Sequence, residues 1–262
     1  MIPTVLSIAG SDPSGGAGIQ ADIKAISANG GYAMAALTAL TAQNTTGVFG
    51  VELLSPDFVA QQIDVVFDDI RVDAVKIGMI ANAAIATRVA EVLTRRDARR
   101  IVLDPVMVAK GGDRLLDPEA VETLRERLLP LAAILTPNLP EAAALLNDTE
   151  ITHREQMPGL ADRLRALGPE AVLLKGGHLA GADSPDYLAT ATGGVWLEGN
   201  RIPTRNTHGT GCTLSSTLAT QLAQTDDPVA AARAAKAYVA RAIAGADTLD
   251  VGSGHGPLYH FA

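Results

Sequence analysis

Asn206-Thr207-His208-Gly209-Thr210-Gly211-Cys212-Thr213 runs directly into Leu214, Leu218 and Leu222, apolar residues spaced i, i+4 and i+8. That spacing predicts a helix opening near Gly211 or Cys212. Two glycines and two threonines at its mouth leave backbone N–H groups uncovered around one small concavity. Orphan donors and the positive end of the helix dipole coincide there, so such a helix start suits an anion. The only cysteine of the chain lies at the same spot. The stretch predicts a phosphate-handling site with a thiol at its floor.

Outward from this segment, short apolar runs alternate with helix-periodic ones. Val5 to Ala9 reads as the first strand, and Ile19, Ile23 and Ile26 mark a helix face after it. Ala35 to Thr41, Ala74 to Ile77, Ile101 to Leu103, Ala132 to Leu135 and Val172 to Leu174 read as further strands. Helices fit between them at 59–70, 85–93 and 121–128. Ser55-Pro56, Asp117-Pro118 and Asp227-Pro228 each place an N-cap residue before a proline at the first helical position. A hairpin is expected around Tyr187 to Ile202, turning on Gly193-Gly194. No linker or internal repeat interrupts the 262 residues, so one doubly wound α/β domain over 1–262 is the economical expectation.

Composition agrees. Hydrophobic residues make up 47% of the chain and aromatics only 3%, a diet of Ala, Val, Leu and Ile that suits parallel strands under close-packed helices. A net charge of −8 argues against nucleic acid as the main partner. The lone cysteine excludes an intramolecular disulfide and fits a reducing cytoplasm. No apolar run approaches the roughly 18 residues of a membrane span, and the start lacks a signal peptide's basic and apolar regions.

Open α/β sheets bind ligands beyond the carboxyl ends of their strands. Those ends carry Gly10-Ser11-Asp12, Gln43-Asn44, Gly78-Met79, Asp104-Pro105, Thr136-Pro137-Asn138 and Lys175-Gly176-Gly177. Two nucleotide motifs are excluded: no lysine follows a glycine, so there is no Walker A loop, and Gly10 to Gly18 never satisfies GxGxxG. The five histidines are too scattered for a metal motif. Read alone, Gln43 is a solvated strand cap or an amide reading an aminopyrimidine edge. Met79 is core filler or, with Val106, an apolar wall; Gly10 permits close backbone approach or merely a turn. Asp22 flanks an apolar stripe, as a surface charge or toward a ligand. Lys175 ends an apolar run, where an anion or solvent must meet its charge, and Lys76 is a weaker case. Glu141 offsets the dipole of its helix or, with Asn138, serves a metal. Asp104 is a turn residue or a site residue, and His208 a phosphate donor or a loop cap. Arg95, Arg96, Arg99 and Arg100 read as a solvated helix end.

Seven segments in order, AGSDPSGGAGIQAD (9–22), ALTAQN (39–44), DAVKIGM (73–79), DPVM with AKGGD (104–113), TPNLPEA (136–142), LLKGGH (173–178) and NTHGTGCTLSS (206–216), resemble the ribokinase-like family of small-molecule kinases. Within it the chain is similar to the hydroxymethylpyrimidine/phosphomethylpyrimidine kinases of thiamine biosynthesis. Gly111 departs from the pattern, where serine is expected. The resemblance implies a three-layer, mostly parallel sheet with helices on both faces. It also implies two successive phosphoryl transfers from ATP, with Mg²⁺, to 4-amino-5-hydroxymethyl-2-methylpyrimidine and then to its monophosphate. It assigns catalysis to Gly209, Thr210, Gly211 and Cys212, and the pyrimidine to Gly10, Asp22, Gln43, Met79 and Val106. Lys175, Thr207 and His208 are assigned to ATP, and Asp104, Asn138 and Glu141 to the metal. A cytoplasmic homodimer is expected.

Relatives mostly carry aspartate where Cys212 stands. A neutral thiol would not repel a second acceptor that is itself a phosphate monoester, while the helix terminus is expected to lower the thiol pKa enough to help the first step. Two alternatives stay open: a pyridoxal kinase of the cysteine-bearing subgroup, disfavoured because Lys110 stands where a second cysteine would lie, and a non-catalytic vitamin-binding protein.

Overall fold

A computed structural model of the chain describes residues 1–107 and 118–262. Among the described residues nine strands form one sheet: β1 (Thr4–Ser11), β2 (Tyr32–Asn44), β3 (Gly47–Leu53), β4 (Ala74–Ile77), β5 (Ile101–Leu103), β6 (Ile134–Leu135), β7 (Ala171–Lys175), β8 (Asp186–Thr190) and β9 (Gly193–Leu197), in the order β3-β2-β1-β4-β5-β6-β7-β8-β9. From β2 to β7 every neighbouring pair is parallel; β3, β8 and β9 add antiparallel edges.

The period-2 alternation of the strands divides the core in two. Leu6, Ile8, Val75, Ile77, Ile101, Leu103, Leu135, Val172 and Leu174 face one way, against helices α2 (Pro56–Asp69), α3 (Ala83–Arg95), α4 (Pro118–Thr123), α5 (Leu139–Leu146) and α6 (Met157–Arg165). Val5, Ala74, Val102, Ile134, Ala171 and Leu173 face the other way, against α1 (Gly18–Ala28), α7 (Thr210–Thr225) and α8 (Pro228–Ala244). The expected three layers are therefore found. On the second face the next inward positions are Ser7 and Lys76, so the sheet turns polar beneath the first turns of α7.

Caps mark several helix starts. Ser55 and Asn82 accept from the N–H three residues on, and Asp227 accepts from Val229 and Ala230. Asp117 and the AKGGD segment, with Lys110 and Gly111, lie outside the described residues.

Three local expectations are corrected. Strand β3 was not legible, because Gly47–Leu53 is an edge whose residues are mostly exposed and lack a buried stripe. The β8–β9 turn is Ala191-Thr192; Gly193 opens β9 opposite Thr190, and the strand ends at Leu197. Ile23 is 39% exposed, and the position on its helix that turns inward is Asp22.

Chain order reverses between β1 and β4, since β1 leads to β2 on one side and β4 to β7 follow on the other. The crevice at that reversal, beyond the strands' carboxyl ends, is where such sheets take ligands.

Candidate active site

A cavity of about 1500 Å³ opens along this edge. Its middle is the start of α7. Gly209 is the N-cap at φ +79, and a Cβ there would stand 1.8 Å from the Gly16 carbonyl oxygen, so only glycine fits. Among the described residues no side chain caps this helix, and no acidic residue occupies its first turn. Thr210 spends its hydroxyl on the Thr207 carbonyl at 2.7 Å. A Cβ on Gly211 would meet Asp104 Oδ2 at 3.2 Å and Lys175 Nζ at 3.4 Å, so this glycine leaves the helix mouth open toward both. The helix begins one residue earlier than expected.

Lys175, at the end of β7, reaches Asp104 at 3.0 Å and Glu141 at 3.8 Å. Burial opposes its charge, but Asp104 and Glu141 prevail and raise its pKa. Burial in turn lifts Glu141 to about 7; Lys175 pulls it down and Asp104 adds to the rise. Two carboxylates against one ammonium leave an uncompensated negative charge that a cation would relieve. The donor set fits magnesium only through water, which Mg²⁺ readily retains. Glu141 Oε2 already accepts the Asn138 N–H, and Asn138 Oδ1 accepts the Glu141 N–H, closing the capping box of α5. Asn138 is thus a helix cap, and the expected metal role would be additional to it. Among the described residues no cluster of three or more His, Cys, Asp or Glu could hold a metal by itself.

Cys212 lies half-buried at the cavity floor. Burial pushes its thiol up to about 11; Lys76 opposes this, Asp22 and Asp104 add to it, and the Gly18 N–H bond opposes it. The expected lowering of the thiol is therefore overturned: burial raises it. The expectation of a neutral thiol stands.

Beneath it, Asp22 and Lys76 are each fully buried and paired at 2.7 Å. Ser7 and Ser216 also donate to Asp22, at 2.6 and 2.8 Å. Asp22 is saturated in the interior and does not contribute to the cavity wall, contrary to the expected pyrimidine contact. Lys76 meets this carboxylate rather than a phosphate.

Gly10, Gln43, Met79 and Val106 line one end of the cavity together. A Cβ on Gly10 would stand 2.5 Å from Met79 Cε, so that glycine admits the methionine methyl. Gln43 Oε1 lies 3.2 Å from Thr41 Oγ1, and Gln43 Nε2 lies 3.4 Å from His208 Nε2. Thr207 lines the cavity with its carbonyl committed to Thr210. His208 pairs with Asp12 at 2.8 Å. It ties the 206–212 loop to the β1–α1 loop beside Gln43 while still lining the cavity, so it has a loop-holding role whether or not it also meets ATP.

Asp12 was missed. It is 2% exposed and accepts from the Ser14 N–H and hydroxyl and from the Ala17 N–H. Burial acts to raise it, but His208 and Ser14 hold it below the usual carboxylate range. Asp12-Pro13-Ser14 is an Asx-turn pattern that was there to be read. The other cavity end was missed as well. Trp196, the single tryptophan, lines it with Arg233 and Lys236, the last held by Asp186 at 2.7 Å. The four arginines near Arg95 are ion-paired to Asp64, Asp68, Asp97 and Asp226, which agrees with a solvated face.

The sequence profile of the family described as phosphomethylpyrimidine kinase matches residues 12–259. Over 256 residues the chain is 53% identical to the hydroxymethylpyrimidine/phosphomethylpyrimidine kinase of Salmonella typhimurium, covering 98% of this chain and 96% of that one. Its fold superposes on the ADP complex of Bacillus subtilis pyridoxal kinase with a TM-score of 0.91 at 36% identity, covering 99% and 98% of the two chains. Phosphomethylpyrimidine kinase from Clostridium difficile gives a TM-score of 0.81 at 42% identity, covering 93% and 100%.

Proposed function

The chain belongs to the phosphomethylpyrimidine kinase family, and from that premise we propose that it transfers phosphoryl groups from ATP to 4-amino-5-hydroxymethyl-2-methylpyrimidine and then to its monophosphate, within thiamine biosynthesis. The observation that carries this reading is the uncapped start of α7, opposite Lys175, in a cavity whose far end holds Gln43, Met79 and Val106. One domain spanning 1–262 houses both ends.

In the first transfer the hydroxymethyl oxygen forms a bond to the γ-phosphorus while the bond to the β,γ-bridging oxygen breaks. Such transfers pass through a loose transition state, so the protein's task is positioning and charge stabilisation. The amides at the start of α7 and the Lys175 ammonium meet the charge on the moving group. Losing one such aimed donor costs about 2.7–4 kcal/mol of barrier. Bond formation to the acceptor is little advanced in a loose transition state, so the hydroxyl keeps its proton until late and passes it to an oxygen of the transferred phosphoryl group, and a thiol that stays protonated is not needed as a base. In the second transfer the acceptor is already an anion, needs no base, and meets no fixed negative charge at Cys212. Magnesium, when bound, neutralises the polyphosphate; Asp104 and Glu141 would hold it through water.

The nucleotide's base belongs at the Trp196 and Arg233 end, since the other end is built for a small ring. A homodimer is part of the reading. Phe49, Val51 and Leu53 on edge strand β3 are 71%, 47% and 43% exposed, and an unpaired apolar edge is a surface that a second copy covers. Light scattering of the wild type and of Phe49→Lys tests it; a monomeric wild type refutes it.

The deciding experiment for function is ³¹P NMR of products formed from ATP with the aminopyrimidine alcohol and, separately, with pyridoxal. A pyrimidine diphosphate is expected. Phosphorylation of pyridoxal alone would favour the second reading, to which the likeness to a pyridoxal kinase points. No acceptor-dependent turnover would leave a binding protein.

A further inference from the structure

The Gln43 amide touches two neighbours whose protons are already committed. Thr41 Oγ1 carries one proton and gives it to the Ser11 carbonyl at 2.8 Å. Toward Gln43, 3.2 Å away, it has only lone pairs to offer. His208 Nε2 lies 2.8 Å from Asp12 Oδ2. Asp12 collects three further hydrogen bonds in a buried loop, from Ser14 and Ala17, which keep it ionised. A carboxylate only accepts, so Nε2 carries the proton. Gln43 Nε2 lies 3.4 Å from that nitrogen and Gln43 Oε1 3.2 Å from Thr41 Oγ1, so donor meets donor and lone pair meets lone pair, and turning the amide end for end relieves both contacts. The imidazole is itself fixed: its Cδ2 occupies the space a Cβ on Gly16 would take, at 2.4 Å, and the His208 N–H donates to the Gly256 carbonyl at 3.0 Å.

We propose that Asp12, His208 and Thr41 set the orientation of the Gln43 amide, carbonyl toward His208 and NH₂ toward Thr41, and thereby select a ring edge that offers an amine donor beside a ring-nitrogen acceptor. The terminal torsion of glutamine is soft and two-fold, so proton counts at its neighbours decide which end faces which. Held this way, the amide oxygen accepts from the ring's amine and one amide N–H remains for the ring nitrogen. A ring with a carbonyl in place of the amine meets that oxygen head-on. Asp12, His208 and Thr41 are positioning residues. The inference rests on the reading of this cavity end as an aminopyrimidine subsite.

The test is kcat/KM for 4-amino-5-hydroxymethyl-2-methylpyrimidine and for its 4-oxo counterpart, in the wild type and in His208→Phe, His208→Gln and Thr41→Val. The wild type is expected to prefer the amino compound by about tenfold or more. His208→Phe and Thr41→Val shrink that preference toward unity through the pyrimidine KM, and Thr41→Val leaves the ATP KM unchanged. His208→Gln returns an N–H near the lost one and restores the preference. If both rates fall together with the preference intact, the residues are merely structural and the proposal is overturned. Absence of preference in the wild type overturns it equally. If His208→Phe does not fold, the near-isosteric Thr41→Val decides alone. A wild type active on neither pyrimidine sinks the kinase reading, and this inference with it, by a result distinct from lost discrimination.

Discussion

Cys212→Asp separates the two transfers assigned to one site. The thiol's surroundings push it from 9.0 to about 11, burial first, with Lys76 opposing and Asp22 and Asp104 adding. The same burial and neighbouring carboxylates push an aspartate carboxyl placed there above the usual carboxylate range, so it loses its charge at a higher pH than an exposed one. At about 4 Å and an effective dielectric of 20, two unit charges repel by about 4 kcal/mol, or about a thousandfold in rate. Lys76 and Lys175 offset part of this, so the second transfer is expected to slow about a hundredfold at pH 8. The first acceptor is uncharged and escapes the penalty. The assay is rapid quench of each step from its own purified acceptor, always against wild type at the same pH. The second-step deficit should shrink as pH falls to 5, while the first step stays near its wild-type ratio. A variant that matches the wild type in the second transfer at pH 8 would refute the repulsion argument, as would a deficit equal in both steps at every pH.

Gly209→Ala forces a Cβ to within 1.8 Å of the Gly16 carbonyl at φ +79, so the 206–212 loop must move. A loss of at least a hundredfold in kcat is expected, the scale of removing one aimed donor; near-wild-type kinetics would contradict it. Lys76→Met strands the fully buried Asp22 carboxylate and should cost about 3–5 kcal/mol in urea unfolding, with most of it recovered in Lys76→Met/Asp22→Leu. A single variant within 1 kcal/mol of wild type would show the pair to be unimportant. Glu141 has its carboxyl raised to about 7, above the unfolded value of 4.5, so between these limits the native state binds more protons than the unfolded one. Its contribution is fully present below about pH 4.5 and is lost as pH rises through about 7, a slope of up to about 1.4 kcal/mol per pH unit. Glu141→Gln should flatten unfolding free energy against pH in that window, and an unchanged slope would rule the assignment out.

The layers were legible because parallel strands buried on both faces leave apolar runs, and 74–77, 101–103 and 172–174 all appear as strands. The ligand edge was legible for a related reason: polar and glycine residues interrupt those runs only at the carboxyl ends. Strand β3 left no such trace, being exposed on an edge. Lys76 and Asp22 misled because a charge in an apolar run signals a partner without saying whether it is a ligand or another side chain; here each is the other's partner. Thiol and dipole misled because proximity to a helix terminus is readable in sequence and desolvation is not. Asn138 and Glu141 were rightly placed on one side of a helix start, yet the capping box is their common reason, and any metal duty is added to it.

The central claim is that the backbone amides at the start of α7 receive the migrating phosphoryl group above the Cys212 sulfur. A crystal structure with a non-hydrolysable ATP analogue and the aminopyrimidine alcohol tests it most directly. The account predicts the terminal phosphorus within hydrogen-bonding reach of the 209–212 amides and Lys175, in line with the alcohol oxygen. A terminal phosphate bound elsewhere in the cavity, with those amides facing only solvent, would contradict it.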